Sequence, residues 1–273
     1  MSALVAKLVL APAFVVGASL AARRFGPRVG GLVGGLPVVA GPILLVFALE
    51  HGAAFAAQAA AGTLLGIVSL CAFIAVYARA AAMRVPWLAS LLAGWAAFAA
   101  MTVLLDQVSI AAGASLAIVL AVLALTLTAL PRGAGEPASR AEPPLWDLPV
   151  RALSALALVL ALTALAERLG PHLSGLLAPF PVIASVLSVF THILHGEDDV
   201  ARIMRGFVIA LSSYAMFCFT LAVSLRSLGT AAGFALATAV ALTTQSLVLA
   251  VVWRRGRAVA VETDVLLAEA PRG

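Results

Sequence analysis

RFGPRVGGLVGGLPVVAGPILLVFALEHG, residues 24–52, and RLGPHLSGLLAPFPVIASVLSVFTHILHG, residues 168–196, lie on each other without a gap at an offset of 144. The register pairs Arg24 with Arg168, Gly26-Pro27 with Gly170-Pro171, Gly31-Leu32 with Gly175-Leu176, Pro37-Val38 with Pro181-Val182, Ala40 with Ala184 and His51-Gly52 with His195-Gly196. It runs on through Ala57/Ala201, Gly62/Gly206, Ser69/Ser213 and Phe73/Phe217. Apolar residues of two Ala/Leu-rich helices align by chance. Glycines, prolines, an arginine and a histidine in one register do not, so we read the chain as an internal duplication.

Composition sets the class of both copies. With 63% hydrophobic residues, 11% charged and a mean hydropathy of +1.13, the 273 residues hold too little polar surface to cover a water-soluble globule. The chain reads as an all-α, polytopic transmembrane helical bundle. A span needs roughly 20 apolar residues, and nine runs qualify: 3–22, 32–50, 54–78, 86–105, 108–130, 149–167, 174–194, 203–225 and 230–253. The first resembles a secretory signal. Its basic cluster follows the apolar run, however, and it has a counterpart at 149–167, so it counts as the first span.

Arginine and lysine orient the spans. Fourteen of them fall in the loops after spans 1, 3, 5 and 7 and in the C-terminal tail, against Lys7, Arg168 and Arg226 on the other side. That bias predicts an N-terminus outside and a C-terminus in the cytoplasm. The basic pI of about 10.2 is thereby explained by topology, and no nucleic-acid partner is expected. A single lysine against sixteen arginines points to a GC-rich bacterial genome, hence to the bacterial inner membrane. The partners expected are the lipid bilayer and a small solute of unknown identity, and small-residue faces in spans 3 and 4 leave room for a homo-oligomer.

Orientation and repeat combine. An odd number of spans separates the copies, so they are expected to be inverted, with span 5 as the connector that flips the second. The domains expected are 1–130, the first repeat plus connector; 131–148, a Pro/Gly-rich cytoplasmic linker; 149–257, the second repeat; and 258–273, a tail. Inverted repeats offer two states of opposite exposure, the basis of alternating access in many transporters.

Spans 2 and 7 each carry interior prolines, Pro37 and Pro42 in one, Pro179 and Pro181 in the other. Proline removes an amide donor and clashes with the preceding turn, so both spans are expected to break. Broken helices in lipid must hide their freed backbone groups in protein or in a watery cavity, and their amino ends favour anionic or strongly polar groups. The candidate substrate-binding residues are therefore Pro37, Gly41, Pro181 and Ser185 at the breaks, with Gln58, Ser213 and Gln245 as polar residues within neighbouring spans. Glycines that allow tight helix crossing and prolines that merely shape the bundle explain the same pattern.

Other chemistry is sparse. No Asp, Glu, Lys or Arg occupies a span centre, so no carboxylate relay for ion coupling is evident. His192 and His195 in THILHGEDD share a helix face and lie beside Glu197, Asp198 and Asp199, but the spacing is not that of a metalloprotease helix. No metal, catalytic residue or cofactor is expected. No nucleophile elbow, Walker loop, dinucleotide fingerprint or HExxH occurs, and the chain is read as a non-enzyme. Cys71 and Cys218 lie in apolar runs without a disulfide or zinc pattern.

At GLLAPFPVIASVLSVFTHILHG, residues 175–196, the chain resembles the small GlpM-type inner-membrane proteins, which carry a similar GL, F-P and terminal His/Gly pattern. The resemblance extends weakly into 203–225 and reaches the first half only through the repeat. GlpM-type proteins are about half this length, so it implies a fused double version with a multi-pass inner-membrane fold and no assigned substrate. The first half departs with GGLPVVAGP where the second has APFPVIAS, which would make any site asymmetric.

The function expected is a small-solute permease, or secondary transporter, that rocks its halves about a site between spans 2 and 7. The alternatives are a non-transporting membrane scaffold or envelope-assembly subunit and, third, an intramembrane metal enzyme centred on His192 and His195.

Overall fold

The computed structural model describes residues 3–36, 40–108, 110–133, 146–158, 160 and 179–269, and all regular structure among them is helical. The elements are α1 (Ala3–Phe25), α2 (Pro27–Gly34), α3 (Ala40–His51), α4 (Ala53–Ala82), α5 (Trp87–Asp106), α6 (Ala112–Ala129), α7 (147–158), α8 (Val182–His195) and α9 (Glu197–Glu269). In hydrocarbon every backbone N–H and C=O must be satisfied internally, so Ala/Leu/Val-rich runs have little choice but helix. Among the described residues, four helical segments are long and apolar enough to cross a membrane: Ala53–Ala82, Trp87–Asp106, Ala112–Ala129 and Glu197–Val251.

The last of these is a hairpin. Fifty-five residues of straight helix would extend roughly 80 Å, far more than a bilayer. Gly229, at φ 76° and ψ 174°, interrupts it. The rings of Phe217 and Phe234, on opposite sides of that glycine, stand 6.3 Å apart, so the chain folds back there into two antiparallel arms. The second arm continues as helix to Glu269, into the stretch read from sequence as a tail.

One piece of local geometry occurs at both places that the sequence register pairs. A short helix, a glycine and a long helix occur twice, as α3, Gly52, α4 and as α8, Gly196, α9. Gly52 has φ 87° and ψ 165°; Gly196 has φ 83° and ψ −175°. This region of backbone space is open essentially to glycine alone. The His-Gly pair of each repeat is thus the signature of one sharp reversal made twice.

α4 is the central helix. Of its most apolar stretch 67% is buried, against 28% for α5 and 22% for α6, whose exposed Leu104 and Leu125 belong to the outer wall. Leu64, Ile67, Phe73, Ile74 and Tyr77 supply its buried face. Where α4 meets α5, Gly94 sits so close to Phe73 that a methyl there would lie 2.8 Å from the ring.

α2 packs through its glycines. Pro27 starts the helix at a position whose amide has no helical partner anyway. Gly30 then seats against Ala18 and Ala22 of α1, Gly31 against the backbone of Ile203 and Phe207 of α9, and Gly34 against Ile183, Leu187 and Phe207. An eight-residue helix thereby touches three others, because small residues let backbones approach where hydrophobic burial gives no advantage.

Helix termini converge on one end of the bundle, linked pair by pair. Arg23 at the end of α1 and Arg151 in α7 share Asp147; the Arg151 guanidinium lies 4.8 Å over the ring of Phe190 near the end of α8. His192 of α8 meets the Tyr77 hydroxyl of α4 at 3.4 Å, and Arg84, beyond α4, pairs with Glu197 at the start of α9. Arg205 of α9 donates from Nη1 to the carbonyls of Leu127 and Leu130, capping the end of α6. The loops that carry most of the arginines therefore share one end. Half-exposed Trp87 and Trp146 sit in the same loop regions, where indoles favour an interface.

Candidate functional site

The first predicted break is present beside Pro37, and in the second copy the described residues show a helix start after Pro181. α2 ends at Gly34 and α3 begins at Ala40; Pro37 itself lies outside the described residues. In the second copy residues 179–181 are not helical, and α8 begins only at Val182, with buried Pro181 as its N-cap. Pro181 brings no side chain able to accept a hydrogen bond. The amides of Val182 and Ser185 turn back to the carbonyls of Phe180 and Pro181, both at 2.7 Å. Those of Ile183 and Ala184 find no partner among the described residues, and both residues are buried. A buried helix start with free amides is a place of positive potential.

The surroundings of that start come from α5. Phe180 packs against Trp95 and Phe98, with ring centroids 5.8 Å and 5.4 Å away. The indole Nε1 of Trp95 donates to Ser185 Oγ at 3.0 Å. Ser188 Oγ donates to the Ser185 carbonyl at 3.1 Å. The site is thus an aromatic cradle around one hydroxyl and a helix amino end. Trp95, packed between helices as the partner of Ser185, is a site residue that sequence reasoning misses.

The other candidate residues are spread out. Gly41 faces α9, where a methyl would touch Phe217 at 3.5 Å, so Gly41 and Ser185 look onto different helices. Ser213 is fully buried and donates to the Ala210 carbonyl of its own helix, a bond that keeps a hydroxyl from lining a pathway. Gln58 is exposed on the outside of α4. Gln245 is buried with its Oε1 unpartnered, and Ser69 Oγ, the repeat mate of Ser213, is likewise buried and unpartnered. His192 is taken by Tyr77, and among the described residues no group of three His, Cys, Asp or Glu side chains is placed to hold a metal.

Replacing Trp95 by Phe is expected to cost about 1 kcal/mol, the net worth of one hydrogen bond. Ser185→Ala should cost a similar amount, and the double variant little more than either. Thermal unfolding of the three proteins measures that non-additivity; fully additive losses would mean that the bond contributes nothing.

Among the described residues, apolar helices long enough to cross a membrane surround a buried helix start, the composition and architecture of a helical membrane protein. No family model, no curated protein and no solved structure matches the chain.

Proposed function

We propose that this protein is a small-solute permease of the bacterial inner membrane. It is built from nine spans as an inverted double repeat of GlpM-like units, with its C-terminus in the cytoplasm. The observation that carries the reading is the buried start of α8, without a side-chain cap, against Trp95 and Ser185, at the place in the repeat that corresponds to the interruption between α2 and α3. Support for inversion comes from direction: α4 ends where α9 begins, through Arg84 and Glu197, although the two helices correspond in the repeat. Support for two unequal states comes from Gly206, locked against Arg28, while at its counterpart Gly62 nothing described lies within 4 Å. The free amides of α8 favour a solute with an anionic or strongly polar group.

One observation favours a membrane scaffold instead. Gly34 brings α2 into dry contact with Ile183 and Leu187 of α8, as a rigid subunit would.

Thermal unfolding of the purified protein against a panel of anions, amino acids and sugars separates the two readings. A permease gives a saturable rise in apparent stability that Ser185→Ala or Gly41→Val abolishes. Cysteines at 41 and 185 should then change in accessibility with that solute. A flat panel with well-folded protein favours the scaffold.

A further inference from the structure

The backbones that carry three arginines come together where α2 begins, α6 ends and α9 completes its second turn. The carbonyl of Arg28 packs against Gly206, the neighbour of Arg205. Arg205 caps α6 through Leu127 and Leu130, and Arg132 follows two residues after Leu130. Gly133 rests on the Asp198 carbonyl and the Arg202 side chain, which holds this connection down on α9. The charges acting on the Arg205 guanidinium are those of Arg28 and Arg132. Among the described residues none of the three forms an ion pair, whereas neighbouring Arg202 is engaged by Asp199.

Among the described residues no carboxylate pairs with these three like charges, and like charges repel, so the arrangement favours an anion shared among them. Arg205 is half-buried and fixed by its two carbonyls, while Arg28 and Arg132 are exposed arms. Exposed apolar side chains lie close in sequence to the cluster: Phe25, three residues before Arg28, is 61% exposed, and Leu125, two residues before Leu127, is 68% exposed. A soluble phosphate has no use for that surface. Acyl chains do.

We infer that Arg28, Arg132 and Arg205 form a headgroup site for an anionic glycerophospholipid, with the phosphate between the guanidiniums and the acyl chains along α6. Planar guanidiniums suit phosphate oxygens in paired hydrogen bonds. The site is independent of the break at α8 and holds whether or not the protein transports.

The experiment titrates the full-length protein in detergent with dioleoylphosphatidylglycerol, dioleoylphosphatidylcholine or inorganic phosphate and follows apparent Tm. Arg28→Gln/Arg132→Gln leaves the cap on α6 intact. Arg84→Gln, removing an exposed charge from the same end, is the control. Phosphatidylglycerol should raise Tm saturably and phosphatidylcholine should not. The double variant should bind about twenty-five-fold more weakly, from about fivefold per arginine, and the control should match the parent. Equal weakening in variant and control would reduce the effect to general surface charge and overturn the site. Inorganic phosphate reproducing the shift at millimolar concentration, with no preference for the lipid, would overturn the lipid assignment.

Discussion

Gly206→Ala should leave little folded protein. A methyl at Gly206 would collide with the carbonyl oxygen of Arg28 and lie 3.0 Å from its carbonyl carbon and 3.1 Å from the Leu32 amide. The opposing residue is equally constrained: a methyl at Gly31 meets the Ile203 carbonyl and the Phe207 amide nitrogen at 2.8 Å. These obstacles are backbone, so no rotamer change relieves them. The two helices must separate, and α2, held on its other sides by Ala22 and Leu187, has nowhere to move. Overpacking typically costs 1–3 kcal/mol where side chains can yield; here about 3 kcal/mol or more is expected. That is roughly a 10 °C fall in apparent Tm, read by fluorescence-detected size exclusion after heating.

The repeat supplies the control. Gly62 occupies the same place in the first copy, and nothing described lies within 4 Å of a methyl built there. Gly62→Ala should be neutral or gain up to about 1 kcal/mol, as glycine to alanine does in a helix. Equal losses at both positions would mean that the halves pack alike in the dominant state, and the asymmetry offered in support of alternating access would fall with that result.

The sequence carried the helices well, because a chain this apolar leaves lipid-embedded backbone few options. The interruption between α2 and α3, the start of α8 after Pro181 and the reversal at Gly229 are readable from residues that fix or free the backbone. Which side chains face each other was not readable. α4 is apolar around its whole circumference, so periodicity could not show that Gln58 points outward while Ser69 points in. Ser185 was chosen for its place beside a proline; its partner Trp95 is 90 residues away, and only the crossing of α5 and α8 joins them. Read as topology signals, the arginines account for their gathering at one end of the bundle but not for their pairing. The i,i+4 spacing of Asp147 and Arg151 in DLPVR was the one available clue to the ionic junction they form with Arg23.

Asp147→Asn should be among the most damaging single changes that leave residue size unaltered. Its carboxylate is wholly buried between Arg23, 2.5 Å from Oδ2, and Arg151, whose Nε lies 2.9 Å from Oδ1 and 3.0 Å from Oδ2. This one anion ties the end of α1 to α7, and through the ring of Phe190 to α8. The amide keeps the shape and removes the charge, leaving two guanidiniums facing each other in a poorly hydrated place. Breaking a buried ion pair from one side costs about 3–5 kcal/mol, much of it the penalty on the cations left behind. Arg151→Met added to Asp147→Asn removes one of those cations and should recover part of the loss; Arg151→Met alone should cost less than Asp147→Asn, because Arg23 still neutralises the carboxylate. Thermal unfolding of the four proteins closes the cycle. If Asp147→Asn proves as mild as a surface change, within about 0.5 kcal/mol, the junction is hydrated and the helix ends it joins are held by packing alone.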